Sequence, residues 1–260
     1  MNTNWFDNKN LTCLVICAGK GTRLIPYSEE MPKAMILLNN KPILHYLIDY
    51  WKKYTKNFVF IVGYKKNHIV DYTVQLEIRS QFVEQKKLKG IANAISLAKD
   101  FVSQNFIVVL GDCICLGTFS SSGIMTQGIG VWKTENKEYI KNNYAVFIEN
   151  DRVTKVMEKP KETYNNLCGM GVYLLNKKIF HYIDVTSPSP LTNEVEITDV
   201  IQTMIDANEK INPVYFNGDY ININSLKDLE KAQELLLKNR RISPKQMNEP
   251  IFSDMTGGFQ

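Results

Sequence analysis

The residues best suited to chemistry lie near the start of the chain, in a glycine-rich stretch that two cations follow. The apolar residues 14–16 lead into Ala18-Gly19-Lys20-Gly21-Thr22-Arg23. An apolar run that ends in small residues predicts a buried strand and a turn whose backbone N–H groups can approach an anion closely. Because Arg23 and Lys33 add two positive charges, the stretch predicts a site for the adjacent oxygens of a triphosphate.

Two commoner glycine loops do not fit this stretch. A P-loop needs Ser or Thr directly after its Gly-Lys pair, whereas Lys20 is followed by Gly21. The dinucleotide-binding motif needs a third Gly or an Ala where this chain has Leu24. A strand-to-helix turn without a ligand would explain neither Arg23 nor Lys33, and we therefore favour an anion site.

Two polar residues, Gln85 and Asp112, stand at the ends of further predicted strands. The carboxyl ends of parallel strands meet at one edge of a sheet, so one crevice can hold the glycine stretch and both side chains. A carboxylate at that edge suits a divalent cation bound over a triphosphate. An aspartate after a strand is also a common turn residue. The interpretation of Asp112 as a metal ligand is favoured here only because the preceding motif predicts a triphosphate site.

Strands and helices alternate along the first half of the chain, and the second half is less regular. The pattern predicts an α/β fold: a mostly parallel, Rossmann-like sheet with helices on both faces and a small mixed β extension. Helices are predicted over residues 41–54, 66–76, 91–101, 177–183, 197–207 and 225–238. Besides the strand of the glycine stretch, strands are predicted over 57–64, 81–85, 105–112, 129–132, 144–148, 153–158, 170–175, 214–216 and 220–223.

The pattern Gly-x-Gly-Thr-Arg-Leu, with a Pro-Lys pair that ends ten residues after Arg23, resembles the signature of the sugar-1-phosphate nucleotidyltransferases. Glucose-1-phosphate thymidylyl- and uridylyltransferases are members of that family. The resemblance covers about residues 11–238 and implies a GT-A-like nucleotidyltransferase fold. It implies that an oxygen of a sugar 1-phosphate attacks the α-phosphorus of an NTP and that pyrophosphate leaves. The product would be an NDP-sugar for polysaccharide or glycoconjugate synthesis.

The same resemblance assigns roles to residues that match the family's elements. It implies catalytic roles for Arg23, Lys33, Asp112 and Lys159. It implies nucleotide binding by Ala18, Gly19, Gly21, Thr22, Gln85 and Gly90. It implies sugar-phosphate binding by Ala145, Glu158, Lys159, Gly171 and Glu196. The implied cofactor is Mg²⁺, with Asp112 and Asn222 as its ligands.

For some of these residues the sequence leaves more than one interpretation open. Gln85 lies five residues before Gly90, where the family reads a pyrimidine, and an amide can pair with both a carbonyl and a ring N–H. UTP or dTTP is therefore favoured, with CTP and purine nucleotides left open. Asn222 stands where many relatives have Asp and would bring no charge, and Ala145 stands where most have Gly. Capping of the following helix explains Glu196 equally well.

Other functions remain as alternatives to sugar-nucleotide synthesis. The same fold can transfer a nucleotidyl group to phosphocholine or a heptose phosphate, with CTP or GTP. A non-catalytic nucleotide-binding regulator would typically lose the loop Arg, the Pro-Lys pair or the strand-end Asp, and this chain keeps all three. A glycosyltransferase would usually show Asp-x-Asp, which Asp112-Cys113-Ile114 does not supply.

The bulk composition bounds partners and domains. At 260 residues and 44% hydrophobic, the chain can bury a full core, and we expect one nucleotidyltransferase domain over 1–240 with a tail over 241–260. Its nucleotide half would span about 11–125 and its sugar-phosphate half about 126–240. The net charge of +4 is dispersed, which does not indicate nucleic-acid binding.

The cysteines and the apolar runs indicate where the protein works. The five cysteines form no Cys-x-x-Cys pair, so a zinc site or a disulfide framework is not expected. We find no signal peptide and no apolar stretch long enough to span a bilayer. We therefore expect a soluble cytoplasmic protein that uses an NTP and a sugar 1-phosphate, without nucleic acid or membrane partners. A homo-oligomer stays open.

Overall fold

The computed structural model of the chain describes residues 10–121, 126–190 and 192–241. The arm predicted for residues 1–10 and the tail predicted for 241–260 lie outside the described residues, except for their single innermost residues. Within the described ranges, no helix is long and apolar enough to cross a bilayer.

The described residues form twelve strands and eight α-helices. The strands are β1 (Thr12–Ile16), β2 (Leu37–Leu38), β3 (Lys41–Pro42), β4 (Asn57–Val62), β5 (Arg79–Glu84), β6 (Asn105–Leu110), β7 (Cys113–Ser120), β8 (Gly128–Lys133), β9 (Tyr144–Glu149), β10 (Arg152–Glu158), β11 (Leu167–Asn176) and β12 (Asn212–Asn222). The helices are α1 (Tyr27–Glu30), α2 (Ile43–Trp51), α3 (Asn67–Thr73), α4 (Gly90–Leu97), α5 (Lys137–Asn142), α6 (Ile179–Val185), α7 (Ile197–Asp206) and α8 (Leu226–Arg241).

Ten of the strands form one sheet in the order β5-β4-β1-β6-β11-β8-β12-β7, with β9 paired to β11 and β10. The strands β5, β4, β1 and β6 run parallel to one another. Strand β11 is antiparallel to β6 and β8, whereas β12 is parallel to β8. The predicted α/β fold is confirmed, and the mixed part of the sheet begins where β11 joins β6.

Helices cover both faces of the sheet because successive residues of a buried strand point to opposite sides. Val15 belongs to the apolar cluster that contains Leu47 of α2 on one face. Its neighbour Leu14 belongs to the cluster of Ile95 from α4 and Val200 from α7 on the other face. The all-apolar strands predicted from the sequence therefore lie in the centre of the sheet, between two layers of helices.

The structure departs from the predicted elements in several places. Helix α1 and strands β2 and β3 were not predicted, and β3 takes the first two residues of the helix predicted over 41–54. Strand β7 was not predicted, because its polar second half reads as a turn, and the strand lies at an edge of the sheet where only β12 pairs with it. The two short strands predicted over 214–216 and 220–223 are one strand, because the ladder with β7 runs from Tyr215 to Asn222. Helix α5 was also not predicted, and the side chain of Asn136 caps it by accepting from the Glu138 N–H at 3.1 Å.

Tyr144 packs its ring flat against Gly169, its register partner on β11. A Cβ at residue 169 would stand 1.9 Å from Cε2 of that ring. We expect Gly169→Ala to lower the free energy of unfolding by about 2 kcal/mol, since the buried ring has to leave its place. Urea denaturation measures the change, with Gly19→Ala as the control because no atom lies within 4 Å of a Cβ there. Equal stability of the two variants would contradict this packing argument.

Candidate active site

The glycine-rich stretch of residues 18–23, here called the glycine loop, leaves β1 and folds back onto Lys33. Gly21 has φ +70°, and a Cβ there would lie 2.8 Å from the Cβ of Lys33. The carbonyl oxygen of Gly21 accepts a hydrogen bond from the Ser28 hydroxyl at 2.7 Å. Only glycine therefore allows this turn to lie so close to the lysine. Thr22 and Arg23 follow in a 3-10 helix and are exposed.

The two predicted cations converge on an amide that the sequence analysis did not single out. Arg23 Nη2 and Lys33 Nζ donate to Asn224 Oδ1 at 3.1 and 3.2 Å. The backbone N–H of Asn224 donates to the Asp228 carboxylate at 3.0 Å, at the start of α8. Asn224 could have been identified from its position in the sequence, between Asn222 and the predicted capping pair of the helix.

Lys33 also pairs with Asp112, the predicted metal ligand. The distance from Nζ to Asp112 Oδ2 is 2.5 Å, and the two side chains are only 14% and 21% exposed. The carbonyl oxygen of Asp112 accepts from the Ile223 N–H at 3.0 Å, which ties the end of β6 to the end of β12. Neither charge is alone in this partly buried place, and the pair holds the glycine-loop segment against the strand ends.

A cavity of about 300 Å³ opens beside this ion pair. Six of the predicted residues line it, namely Ala18, Gly19, Lys33, Gln85, Gly90 and Asp112. The prediction that the glycine loop, Gln85 and Asp112 share one crevice therefore agrees with the structure. Glu194 and Leu88 also line the cavity and were not predicted. Glu194 could have been found from its place two residues before Glu196.

Gln85 lines the cavity and is almost fully buried, and the N–H groups of its amide already have partners. Its Nε2 donates to the Gly90 carbonyl at 3.2 Å and to Asn93 Oδ1 at 3.0 Å. A carbonyl can only accept, so the bond to Gly90 fixes which amide atom faces it. The amide thus offers only its Oε1 as an acceptor, rather than both the donor and the acceptor that the sequence analysis expected.

Glu158 does not line the cavity and lies between Lys159 and Thr198. Lys159 Nζ is 3.2 Å from Glu158 Oε1, and the Thr198 hydroxyl donates to Oε2 at 3.1 Å. Burial raises the pKa of the Glu158 carboxyl, and the charge of Glu196 adds to this, while Lys159 opposes both. Each carboxylate oxygen has one protein partner and keeps a further lone pair that can accept from a ligand hydroxyl.

Glu196 occupies the N-cap position of α7, but its side chain makes no capping hydrogen bond. The carboxylate instead accepts from the Thr192 hydroxyl at 3.0 Å. Burial and then the charge of Glu196 raise the pKa of Asp199, as Glu196 also does for Glu158. Side-chain capping therefore does not account for Glu196, and the structure brings it into the electrostatic neighbourhood of Glu158.

Two predicted sugar-side residues, Ala145 and Gly171, lie below the surface of the site. Ala145 is fully buried between β10 and β11. The N–H of Gly171 donates to the Tyr220 hydroxyl at 2.9 Å, and a Cβ there would stand 2.8 Å from Leu110 Cγ. Leu110 lines the cavity and Gly171 supports it from beneath. Neither residue lines the cavity, and both pack the framework around it.

Asn222 provides an observation that bears on a metal ion. It stands across from Cys113 in the β7–β12 ladder, beside Asp112. Its Oδ1 is buried and has no hydrogen-bond partner among the described residues. Those residues include no group of three His, Cys, Asp or Glu side chains that could hold a metal. A carboxylate and an amide oxygen fit Mg²⁺, which usually takes its other ligands from water and phosphate.

The fold is that of an α/β nucleotidyltransferase, and the loop, the cations and the carboxylate lie together at one edge of its sheet. The chain belongs to the nucleotidyl transferase family, whose model matches residues 12–239. The bifunctional protein GlmU of Methanocaldococcus jannaschii is 33% identical over 229 residues, which are 87% of this chain and 54% of that protein. The chain thus spans about half the length of such bifunctional relatives.

A second relative matches over almost its full length. The UTP–glucose-1-phosphate uridylyltransferase AglF of Haloferax volcanii is 30% identical over 236 residues, which are 87% of this chain and 96% of AglF.

Solved structures share the fold. A UDP-glucose pyrophosphorylase complexed with UDP-glucose has a TM-score of 0.76 at 22% identity and covers 88% of this chain and 99% of its own. The inositol-1-phosphate CTP transferase of T. maritima has a TM-score of 0.75 at 22% identity, with 89% and 96% covered. At these identities the likeness is one of fold.

Proposed function

We propose that this protein transfers a nucleotidyl group from an NTP to a sugar 1-phosphate and releases pyrophosphate. The observation that carries the proposal is the convergence of Arg23 and Lys33 on Asn224 while Lys33 pairs with Asp112 beside the cavity. Two cations and one carboxylate leave a net positive charge next to the glycine loop. Such a site attracts a triphosphate and retains a carboxylate oxygen for its cation.

In the proposed step, a phosphate oxygen of the sugar 1-phosphate forms a bond to the α-phosphorus of the NTP. The bond from that phosphorus to the oxygen that leads to the β-phosphorus breaks, and pyrophosphate carries the electron pair away. The attacking group is already an anion, so no side chain has to remove a proton. The chain's contribution is to hold two anions in line, with Arg23 and Lys33 on the triphosphate and Lys159 on the sugar phosphate.

Asp112 and Asn222 are the residues that would hold Mg²⁺. The argument rests on their adjacent places, Asp112 directly before β7 and Asn222 at the end of β12, and on the buried Oδ1 of Asn222, which has no partner among the described residues. When bound, the ion would neutralise charge on the phosphates of the nucleotide. Because Asp112 now pairs with Lys33, the lysine would exchange this partner for a phosphate oxygen when the nucleotide enters.

The proposed nucleotide is UTP or dTTP. Gln85 presents an acceptor, Oε1, because both of its N–H groups are engaged by Gly90 and Asn93. The N3–H of uracil or thymine is a matching donor, whereas N3 of cytosine is an acceptor. We place the nucleotide against residues 11–125 and the sugar phosphate against 126–240, and we take glucose 1-phosphate as the first acceptor to test because AglF is named for it.

Pyrophosphate release tests the reaction directly. UTP, dTTP, CTP, GTP and ATP are each supplied with Mg²⁺ and glucose 1-phosphate, then with phosphocholine, a heptose phosphate and inositol 1-phosphate. We expect release with UTP or dTTP and a sugar 1-phosphate, and none when either substrate is omitted. Release only with CTP and one of the other phosphates would replace this proposal with the alternative acceptor. Nucleotide binding without any release would instead support a regulator.

Lys33→Ala and Asp112→Asn should each lower kcat at least about 10²-fold, the scale of losing one electrostatic stabiliser of the transition state. Initial rates of pyrophosphate release at saturating substrates measure the effect. The control is Lys41→Ala, which removes a lysine whose Nζ lies 2.8 Å from His45 Nε2 and which does not line the cavity. Turnover near that of the wild type in either site variant would count against the mechanism.

A uridine nucleotide that carries a methyl group on N3 tests the role of Gln85. The methyl group removes the donor and leaves Oε1 unpaired, so we expect kcat/KM to fall at least about tenfold relative to UTP. In Gln85→Leu, the two nucleotides should be used almost equally, because the acceptor is gone from both. An unchanged ratio in that variant would show that another group reads the base.

A further inference from the structure

We propose that Asn143 is a positioning residue that turns the amide of Asn222 so that its oxygen, rather than its nitrogen, is offered to the metal ion. The inference rests on the proposed function, because it concerns the Mg²⁺ site suggested for Asp112 and Asn222. Asn143 lies between α5 and β9 and does not line the cavity. Its effect would act entirely through Asn222.

A chain of two amides sets the orientation, and it starts from a backbone carbonyl. Asn143 Nδ2 donates to the carbonyl oxygen of Tyr139 at 2.8 Å. Because that oxygen can only accept, the nitrogen of the Asn143 amide must face it and Oδ1 must face the other way. Asn222 Nδ2 then donates to Asn143 Oδ1 at 2.9 Å. This bond leaves Asn222 Oδ1 as the free end of the chain.

The free oxygen belongs to a buried residue that neighbours Asp112 across the strand ends. Asn222 is only 9% exposed, and its Oδ1 has no hydrogen-bond partner among the described residues. Its register partner Cys113 directly follows Asp112, and the next residue, Ile223, donates its N–H to the Asp112 carbonyl at 3.0 Å. A buried amide oxygen without a donor is costly, and ligation of a cation would satisfy it.

The orientation matters because Asn222 brings no charge of its own. An aspartate would present an oxygen in either rotamer, whereas an asparagine that turns by half a rotation presents an N–H group that repels a cation. Groups that fix the orientation of a metal ligand commonly contribute 10- to 100-fold to metal affinity. Asn143 therefore fixes the orientation of the Asn222 amide, which a carboxylate ligand at this position would not require.

The backbone of Asn143 serves the sugar side at the same time. Its carbonyl oxygen accepts from the Lys159 N–H at 2.8 Å. A side-chain substitution leaves this bond in place, so the amide can be removed without detaching Lys159. The two contributions of Asn143 can thus be separated by experiment.

Binding of Mn²⁺, followed by the electron paramagnetic resonance signal of free Mn²⁺ in the absence of nucleotide and sugar phosphate, measures the protein's own ligands without turnover. We expect Asn143→Ala to weaken Mn²⁺ binding about tenfold. The matched control is Asn165→Ala, since the Asn165 side chain also makes two hydrogen bonds, to the Val146 carbonyl at 2.8 Å and the Leu167 N–H at 3.0 Å. That variant should bind Mn²⁺ like the wild type. Wild-type affinity in Asn143→Ala would overturn the inference.

A double-mutant cycle tests whether Asn143 acts through Asn222. Once Asn222→Ala has removed the ligand, adding Asn143→Ala should cause no further loss of Mn²⁺ affinity. A second tenfold loss in that background would show general loosening of the site and would overturn the inference.

The same titrations separate this inference from the proposed function. If Asp112→Asn weakens Mn²⁺ binding but Asn222→Ala does not, Asn222 is no ligand and the inference fails while the proposed reaction stands. If neither substitution weakens binding, the metal site of the proposed function is itself wrong.

Discussion

The pairing of Lys33 with Asp112 joins two segments that are 79 residues apart in sequence, and the rest of the site is arranged around it. The lysine belongs to the segment that the glycine loop folds onto, and the aspartate follows the strand next to β1 in the sheet. Parallel neighbours end at the same edge, which is why the two charges meet. Since each charge compensates the other in a partly buried place, the site is held in order without an isolated buried ion.

Around this pair, neutral amides occupy the positions that hold the charged groups in place. Asn224 accepts from both Arg23 and Lys33, and Asn222 offers an oxygen without a negative charge. The immediate cluster therefore keeps two cations against one carboxylate, which favours a strongly anionic guest. An amide, unlike a carboxylate, must also be turned the right way, and the Asn222 amide has Asn143 for this purpose. Asp228 accepts from the backbone N–H of Asn224 and so holds its main chain at the start of α8.

The sequence predicted what local pattern controls and missed what distant contacts control. The glycine loop, the apolar strands and the capping pair of α8 are each contained in a short stretch, and all appear within a few residues of their predicted places. Asn224 and Asn143 matter because of partners 191 and 79 residues away, which no local spacing shows. Gln85 was identified, but half of its amide is used by Gly90 and Asn93, and only coordinates reveal such competition.

The strand order of the sheet explains how the residues proposed for the nucleotide and those proposed for the sugar phosphate are held in fixed positions relative to each other. Strand β11 continues the sheet directly from β6, and β9 and β10 extend it at the side proposed for the sugar phosphate. Asn143 then binds both the end of β10, through Lys159, and the end of β12, through Asn222. A reaction between two bound anions gains its rate from fixed geometry and charge, and groups on rigid, cross-linked strands meet that need better than groups on separate loops. The proposed chemistry thus depends on one continuous sheet with its strand ends tied together.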